Sequence, residues 1–185
     1  SKKYSILIKN IKKIRVMIFC QFFGELELKS LKKICMIILQ KKREHKNHYK
    51  KIKEQDFLEK KIRNGSILSI SQWREISHIV KKQKIDIAVE FSSNICSLSS
   101  KDEISKVTMI QINFETFKDG RPFTFAKMLR KKYNFKGELR AVGHLLPDQF
   151  VFLLRCGFDS VEIEEEDKDI WLELLEMDEG LYYQP

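Results

Sequence analysis

Turn-forming residues constrain this chain more than anything else in it. Residues 117–160, FKDGRPFTFAKMLRKKYNFKGELRAVGHLLPDQFVFLLRCGFDS, hold four of its seven glycines and two of its three prolines. Between them, apolar residues alternate between helical and strand-like spacing. Gly and Pro each impose a defined turn geometry, so an alternation this regular leaves few folds open. Strands joined through helices pair in parallel by right-handed crossovers.

Extending that pattern predicts an amphipathic helix over 70–82, carried by Trp73, Ile76, Ile79 and Val80. The run IDIAVEF predicts a first strand over 85–91, apolar enough to be buried on both faces. A Ser-rich loop over 92–105 leads to a second strand over 107–114. Helix 122–134, a third strand over 138–142, helix 147–156, a fourth strand over 158–163 and an acidic helix over 167–177 follow. The expected fold is therefore α/β, a small open and mostly parallel sheet of about four strands with flanking helices. A closed barrel with a helix after each of eight strands needs a longer chain. Gly137 and Gly157 are expected to end helices, and Phe114, Phe117, Phe123, Phe125, Phe135, Phe150 and Phe152 to fill the core.

Charge separates the chain into two parts. Residues 1–63 carry 19 Lys+Arg against 6 Asp+Glu, whereas residues 64–185 carry 16 against 20. The net charge of +9 thus belongs to the N-terminal third. A mildly acidic remainder argues against a nucleic-acid reader in the main domain. Residues 162–179 are the most acidic, with ten carboxylates and one lysine. Residues 1–55 read as a basic extension and 56–185 as one α/β domain. In the extension, Leu28, Leu31, Ile34, Cys35, Ile38 and Leu39 have helical spacing, ahead of the polar run KKREHKNHYKKIKEQ. Three readings stay open: an arm touching RNA or anionic lipid, a helix packing on the domain or a partner, or upstream sequence outside the native protein. The third is preferred, because Lys/Ile-rich extensions arise when an A+T-rich gene is read from too early a start.

Cys20, Cys35, Cys96 and Cys156 are far apart and form no C-x-x-C pair, which favours reduced thiols and a cytoplasmic protein. The longest dense apolar run, 16–23, falls short of the ~20 residues that span a membrane. His45 and His48 are three apart in a lysine-rich tract, a weak metal signal, and no metal is expected. No dinucleotide glycine fingerprint follows any strand, and no cofactor is expected.

Several blocks within 114–159 resemble a bacterial family of unknown function. They are Asp119-Gly120-Arg121, Ala126, Leu129-Arg130, the run from Gly137 to Gly143 (GELRAVG), Asp148-Gln149 and the run from Arg155 to Asp159 (RCGFD). The resemblance weakens over 64–185 and leaves 1–55 unmatched. Members of that family are often encoded beside sulfite reductase and labelled probable oxidoreductases. The resemblance therefore implies a role in assimilatory sulfite reduction, with a sulfite reductase or related reductase as partner. Two positions depart from the family pattern: His144 stands where an acid or amide is common, and Glu115 where proline is common.

Ligands of parallel sheets bind at loops leaving the carboxyl ends of strands. Two such loops carry the candidate ligand-binding residues, Asp119, Gly120 and Arg121 after the second strand and Gly143 and His144 after the third, with Asp148 and Gln149 opening the next helix. Arg121 beside a helix N-terminus suits a small oxyanion. The competing reading makes Asp119 or Thr124 a helix cap and pairs Arg121 with a carboxylate such as Glu138. His144 reads as a surface or capping residue, and Asp148 as a first-turn carboxylate. Cys156, at a helix C-terminus on the opposite side, reads as a structural thiol. Arg130, on an exposed helix face, and Arg140 read as structural. Catalytic residues stay unassigned, and whether the chain is an enzyme stays open. The leading expectation is an accessory protein of sulfite reduction that binds a small oxyanion or a partner reductase. The alternatives are a non-catalytic module docking through its acidic C-terminal helix, or a small enzyme using Asp119, Arg121 and Asp148.

Overall fold

Six strands run parallel and each pairs with the next in sequence, so the sheet grows in one direction. The computed structural model describes residues 36–40, 43–45, 47–58, 61–80, 85–92, 101–104 and 106–178. All belong to one compact unit, Met36–Pro185. Among them lie β1 (Met36–Gln40), β2 (Arg43–His45), β3 (Lys50–Lys51), α1 (Glu54–Leu58), β4 (Ser66–Ser69) and α2 (Ile70–Val80). Then come β5 (Ile87–Ser92), β6 (Met109–Phe114), α3 (Arg121–Lys131), β7 (Glu138–Gly143), α4 (Phe150–Cys156), β8 (Ser160–Glu164) and α5 (Lys168–Asp178). Short 3-10 turns occupy Lys101–Ile104, Pro147–Gln149 and Glu165–Asp167. The described strands form one eight-stranded sheet in the order β2-β1-β8-β7-β6-β5-β4-β3. Pairing is parallel from β3 to β8, and antiparallel for β1 on β8 and β2 on β1.

The sheet is therefore larger and more mixed than the four mostly parallel strands expected. The four expected strands are β5 to β8, and the four expected helices are α2, α3, α4 with its leading 3-10 turn, and α5. The other four strands are two to five residues long, too short for a period to emerge. Helical spacing was also misleading at Ile38 and Leu39. Met36–Gln40 is extended and pairs with β8, Leu39 opposite Val161. Residues 36–51, which the sequence reading placed in the basic extension, thus add three strands to the sheet. Residues 1–35, which hold the rest of the expected helix, lie outside the described residues, as do 93–100 of the Ser-rich loop and Cys20, Cys35 and Cys96.

Crossovers of one hand that always step to the next strand put every helix on the same face. The core shows it. Phe57 of α1, Trp73 and Ile76 of α2, Phe125 and Leu129 of α3, Phe150 and Leu153 of α4 and Trp171 of α5 share one cluster with alternate strand residues. Those strand residues include Val89, Phe91, Ile110, Ile112, Leu139, Ala141, Val161 and Ile163. Full burial of each Val, Leu, Ile or Phe among them contributes roughly 1.5–3 kcal/mol. Aromatic contacts tie the helices in, with Phe91–Phe125 ring centroids at 5.0 Å and Phe150–Trp171 at 5.5 Å. Phe114, Phe135 and Phe150 are buried as expected, but Phe117 and Phe152 are 37% and 47% exposed, so the core does not claim them. No helix among the described residues is long and apolar enough to cross a membrane.

Arg130 holds the amino-end turns together. Far from lying on an exposed helix face, its guanidinium donates to the carbonyls of Gly157 (2.9 Å), Phe135 (2.8 Å) and Gly137 (2.9 Å) and pairs with Asp159. Asp159 also accepts the Leu139 N–H at 2.8 Å. One side chain from α3 thus fixes both the turn into β7 and the turn into β8. Gly157 ends α4 with φ of 103°, as expected. Gly137 has a different role from the one expected. Asn134, at φ 54°, turns the chain out of α3, whereas a Cβ on Gly137 would strike the Thr108 carbonyl just ahead of β6. Replacing Arg130 with Ala should cost about 2–4 kcal/mol, because it strands three carbonyls and a carboxylate. Asp159→Asn should cost less, since its amide oxygen still accepts from Leu139. Urea denaturation of both variants measures this, and a loss below about 1 kcal/mol for Arg130→Ala would show that the clasp is peripheral.

Candidate functional site

All seven candidate residues sit on the rim at the carboxyl ends of β6 and β7. The rim's two loops are tied by Gln149: its Nε2 donates to the Phe117 carbonyl at 3.0 Å, and its Oε1 accepts the Leu146 N–H at 3.1 Å. His144 anchors the second loop through its backbone, donating to the Phe114 carbonyl at 2.9 Å, while its side chain is exposed. Gly143 is held at φ 94° against Phe114. Asp148 is exposed on the 3-10 turn Pro147–Gln149. Gly120 precedes α3 at φ −81° with open space around it, so neither turn strain nor crowding requires a glycine.

Arg121 does not pair with Glu138. It closes on Asp119 of its own loop, Nε to Oδ1 at 2.9 Å and NH2 to Oδ2 at 2.7 Å, while its backbone N–H also reaches Asp119 Oδ1 at 3.0 Å. Asp119 orders the loop by an Asx turn and holds the guanidinium at once. The Arg121 side chain is 59% exposed. An oxyanion there would have to displace a carboxylate already seated in the fork. Around the rim stand aromatic rings on the surface: Phe152 packs on Phe123 at 4.8 Å under Lys127, and Lys118 lies over Phe117.

A second constellation was invisible to motif reading. On the sheet face turned from the helices, Glu90, Gln111, Arg140 and Ser160 are lateral partners across β5 to β8. Arg140 is only 4% exposed. Its Nε and NH2 donate to Glu138 Oε1 at 3.0 and 2.9 Å, NH1 donates to Asn47 Oδ1 at 2.9 Å, and the Tyr49 ring lies beside it. Ser160 donates to the same Glu138 oxygen at 2.5 Å. Asn47 Nδ2 donates to Glu162 at 2.9 Å. Gln111 Nε2 donates to Glu90 Oε2 at 2.7 Å, and Lys51 pairs with the other oxygen of Glu90 at 2.5 Å. Among the described residues, Gln111 Oε1 is buried without a partner. Such an orphan costs about 1–3 kcal/mol. Burial pushes the Glu162 carboxyl above its ordinary value, with Arg140 and Asn47 pulling the other way. The strict alternation of Ala88-Val89-Glu90-Phe91 and Leu139-Arg140-Ala141 is the sequence signal that could have revealed this face.

On the opposite end, Lys127, Arg130, Lys131, Arg155, Cys156 and Gly157 line a groove of about 320 Å³. Cys156 is buried and unbridged, and desolvation raises its thiol above the ordinary value, against the pull of Lys127. That fits a structural thiol. His48 is exposed, and no group of three or more His, Cys, Asp or Glu among the described residues could hold a metal.

What fold and site together define is an α/β protein with a one-sided helical cover, a loop rim at the carboxyl ends and a polar second sheet face. The family described as bacterial protein of unknown function (DUF934) matches residues 88–185, just over half the chain, and the chain belongs to that family. The match takes in the Arg130 clasp, the rim and the polar row from Glu90 onward. No curated protein and no solved structure matches the chain.

Two measurements test this geometry. Gly143→Ala should destabilise by about 1–3 kcal/mol, since its Cβ would face the Phe114 carbonyl at 2.5 Å and φ is left-handed. Gly120→Ala should be neutral within about 0.5 kcal/mol, and equal losses at both glycines would contradict the backbone assignment. Glu162 fixes a pH response. Its folded carboxyl holds a proton better than the unfolded one, so its contribution is present below the ordinary value of 4.5 and is lost as pH rises through the raised folded value. Glu162→Gln should remove that fall from the stability profile while keeping an acceptor for Asn47. An unchanged slope in chemical denaturation above pH 4.5 would show that the carboxyl titrates normally.

Proposed function

We propose that this protein is an accessory of assimilatory sulfite reduction that docks on a partner reductase through the rim at the carboxyl ends of β6 and β7. The observation carrying the docking is the pair of exposed aromatics, Phe117 and Phe152, beside that rim. Exposed rings bordered by charged side chains resemble the anchors of protein interfaces, where aromatic residues supply most of the binding energy. The engagement of Arg121 by Asp119 favours docking over capture of an oxyanion by the rim. The sulfite connection is supported by the family resemblance of the Asp119-Gly120-Arg121, 137–143 and 155–159 blocks. A second docking surface has support from α5, which buries Trp171 and Leu175 and leaves Asp169, Glu173 and Glu176 exposed.

A strain lacking the protein should grow on cysteine but poorly on sulfate or sulfite, and full growth on all three sinks the sulfur assignment. Co-purification with the reductase from the native host separates the surfaces. Joint Phe117→Ala and Phe152→Ala replacement should lower recovery about tenfold with an unchanged melting temperature. Joint Glu173→Lys and Glu176→Lys replacement should leave recovery intact. The reverse pattern moves the docking surface to α5. Arg121→Ala tests the oxyanion reading, which requires loss of growth on sulfite in an intact fold.

A further inference from the structure

The groove between α3 and α4 is walled by one sign of charge. Lys127, Arg130 and Lys131 line it from α3, and Arg155 and Cys156 from α4, with Gly157 beyond. No carboxylate is among these lining residues. Arg130 is matched by Asp159 and by carbonyls, which leaves the exposed Lys127 and Lys131 as the surplus on the α3 wall. They are four residues apart on one helix, where like charges repel by about 0.2–0.5 kcal/mol. Neither lysine forms an ion pair among the described residues.

Helix α5 carries the opposite pattern. Asp169, Glu173, Glu176 and Met177 are exposed at i, i+4, i+7 and i+8, a single stripe on the side away from the buried Trp171 and Leu175. Glu176 stands in the last turn, which holds no basic residue, so it faces the negative end of the helix dipole at a cost of about 0.3–1 kcal/mol. None of the three carboxylates is in an ion pair among the described residues. The two stripes also match in pitch. Lys127 to Lys131 and Asp169 to Glu173 each cover four residues, about 6 Å of helix rise. Within one copy they stay apart, because α4 packs against both α3 and α5 and lies between them.

We infer that a second copy of this chain covers the groove. The acidic stripe of α5 from one copy lies against Lys127 and Lys131 of the other, and the same contact is made in reverse. A two-fold arrangement of this kind uses both surfaces of both copies and closes as a dimer. An inorganic anion would answer the lysines and leave α5 unanswered, whereas a second copy answers both.

Sedimentation of the full chain tests this. At about 0.05 M salt it should form a dimer with a Kd of about 100 µM or tighter, weakened about fivefold or more at about 0.5 M salt, where screening is stronger. Joint Glu173→Lys and Glu176→Lys replacement makes both surfaces basic, and joint Lys127→Glu and Lys131→Glu replacement makes both acidic. Each variant alone should sediment as a monomer. Mixed in equal amounts they regain opposite charge at both contacts, and should form a dimer containing one copy of each. Melting temperatures report whether the variants fold, and the single changes Glu173→Lys and Lys131→Glu carry the same comparison if a double variant does not. A wild-type chain that stays monomeric at low salt, with or without binding of inorganic phosphate, overturns the inference. So does a dimer that survives either reversal, or a mixture that stays monomeric. Recovery of the reductase through Phe117 and Phe152 is a separate readout, so this inference and the docking proposal fail separately.

Discussion

The structure depends on a constraint of handedness. Parallel strands added one after another in the same direction, each through a crossover of one hand, send all their helices to one side. Here five successive parallel pairings run from β3 to β8, and the helices from α1 to α5 share a single apolar cluster on one face. That face takes the hydrophobic stabilisation of the unit. The other face receives no helix from these crossovers. Its second apolar cluster contains only Ile67, Ala88 and Met109, with Tyr49 against it, and the rest of the row is polar. The division of labour between the faces follows from the chain's direction of growth before any ligand is considered.

The same geometry separates the two ends of the sheet. At the amino end, turns into β7 and β8 are locked by Arg130 and Asp159, which pair with each other and with backbone groups of both turns. Four of the five Arg130 N–H groups are spent on three carbonyls and the Asp159 carboxylate, which makes this side chain a structural clasp. At the carboxyl end the ties are looser and local. Gln149 joins two loops by one bond, and Arg121 pairs within its own loop. Arg, Gly and Asp therefore recur in both places with opposite meaning. Gly157 is required by its φ of 103°, whereas Gly120 is required by nothing in its backbone.

Legibility in the sequence followed segment length and period. Strands β5 to β8 and helices α2 to α5 were readable because each carries a run long enough for its period to show, punctuated by Gly65, Pro122, Gly143 or Pro147. Strands β1 to β4 were not. Lys50–Lys51 has no apolar residue at all, and Met36–Gln40 is apolar at four of five positions, which suits helix and strand alike. The rim residues were placed correctly from topology, because loops after parallel strands must converge. The partner of Arg121 was not, since Asp119 two residues earlier competes by proximity alone. Phe117 and Phe152 misled for a related reason: aromatic identity says what a ring prefers, and only the fold says how many rings the core can hold.

Arg140 shows why the polar face carries more than stabilisation. A guanidinium buried to 4% exposure loses its hydration, and it persists only because Glu138, Asn47 and the Tyr49 ring replace that hydration. Apolar residues at these positions would pack the same space without such matching, as Leu139 and Ala141 do on the other face of the same strand. Yet the matching is incomplete at the next strand, where Gln111 keeps an unpaired oxygen one lateral step from Arg140. A network evolved only for stability would close at that point, since an apolar side chain in place of Gln111 removes the penalty. Gln111 is thus the point, among the described residues, at which the polar face carries a cost that its own hydrogen bonds do not offset.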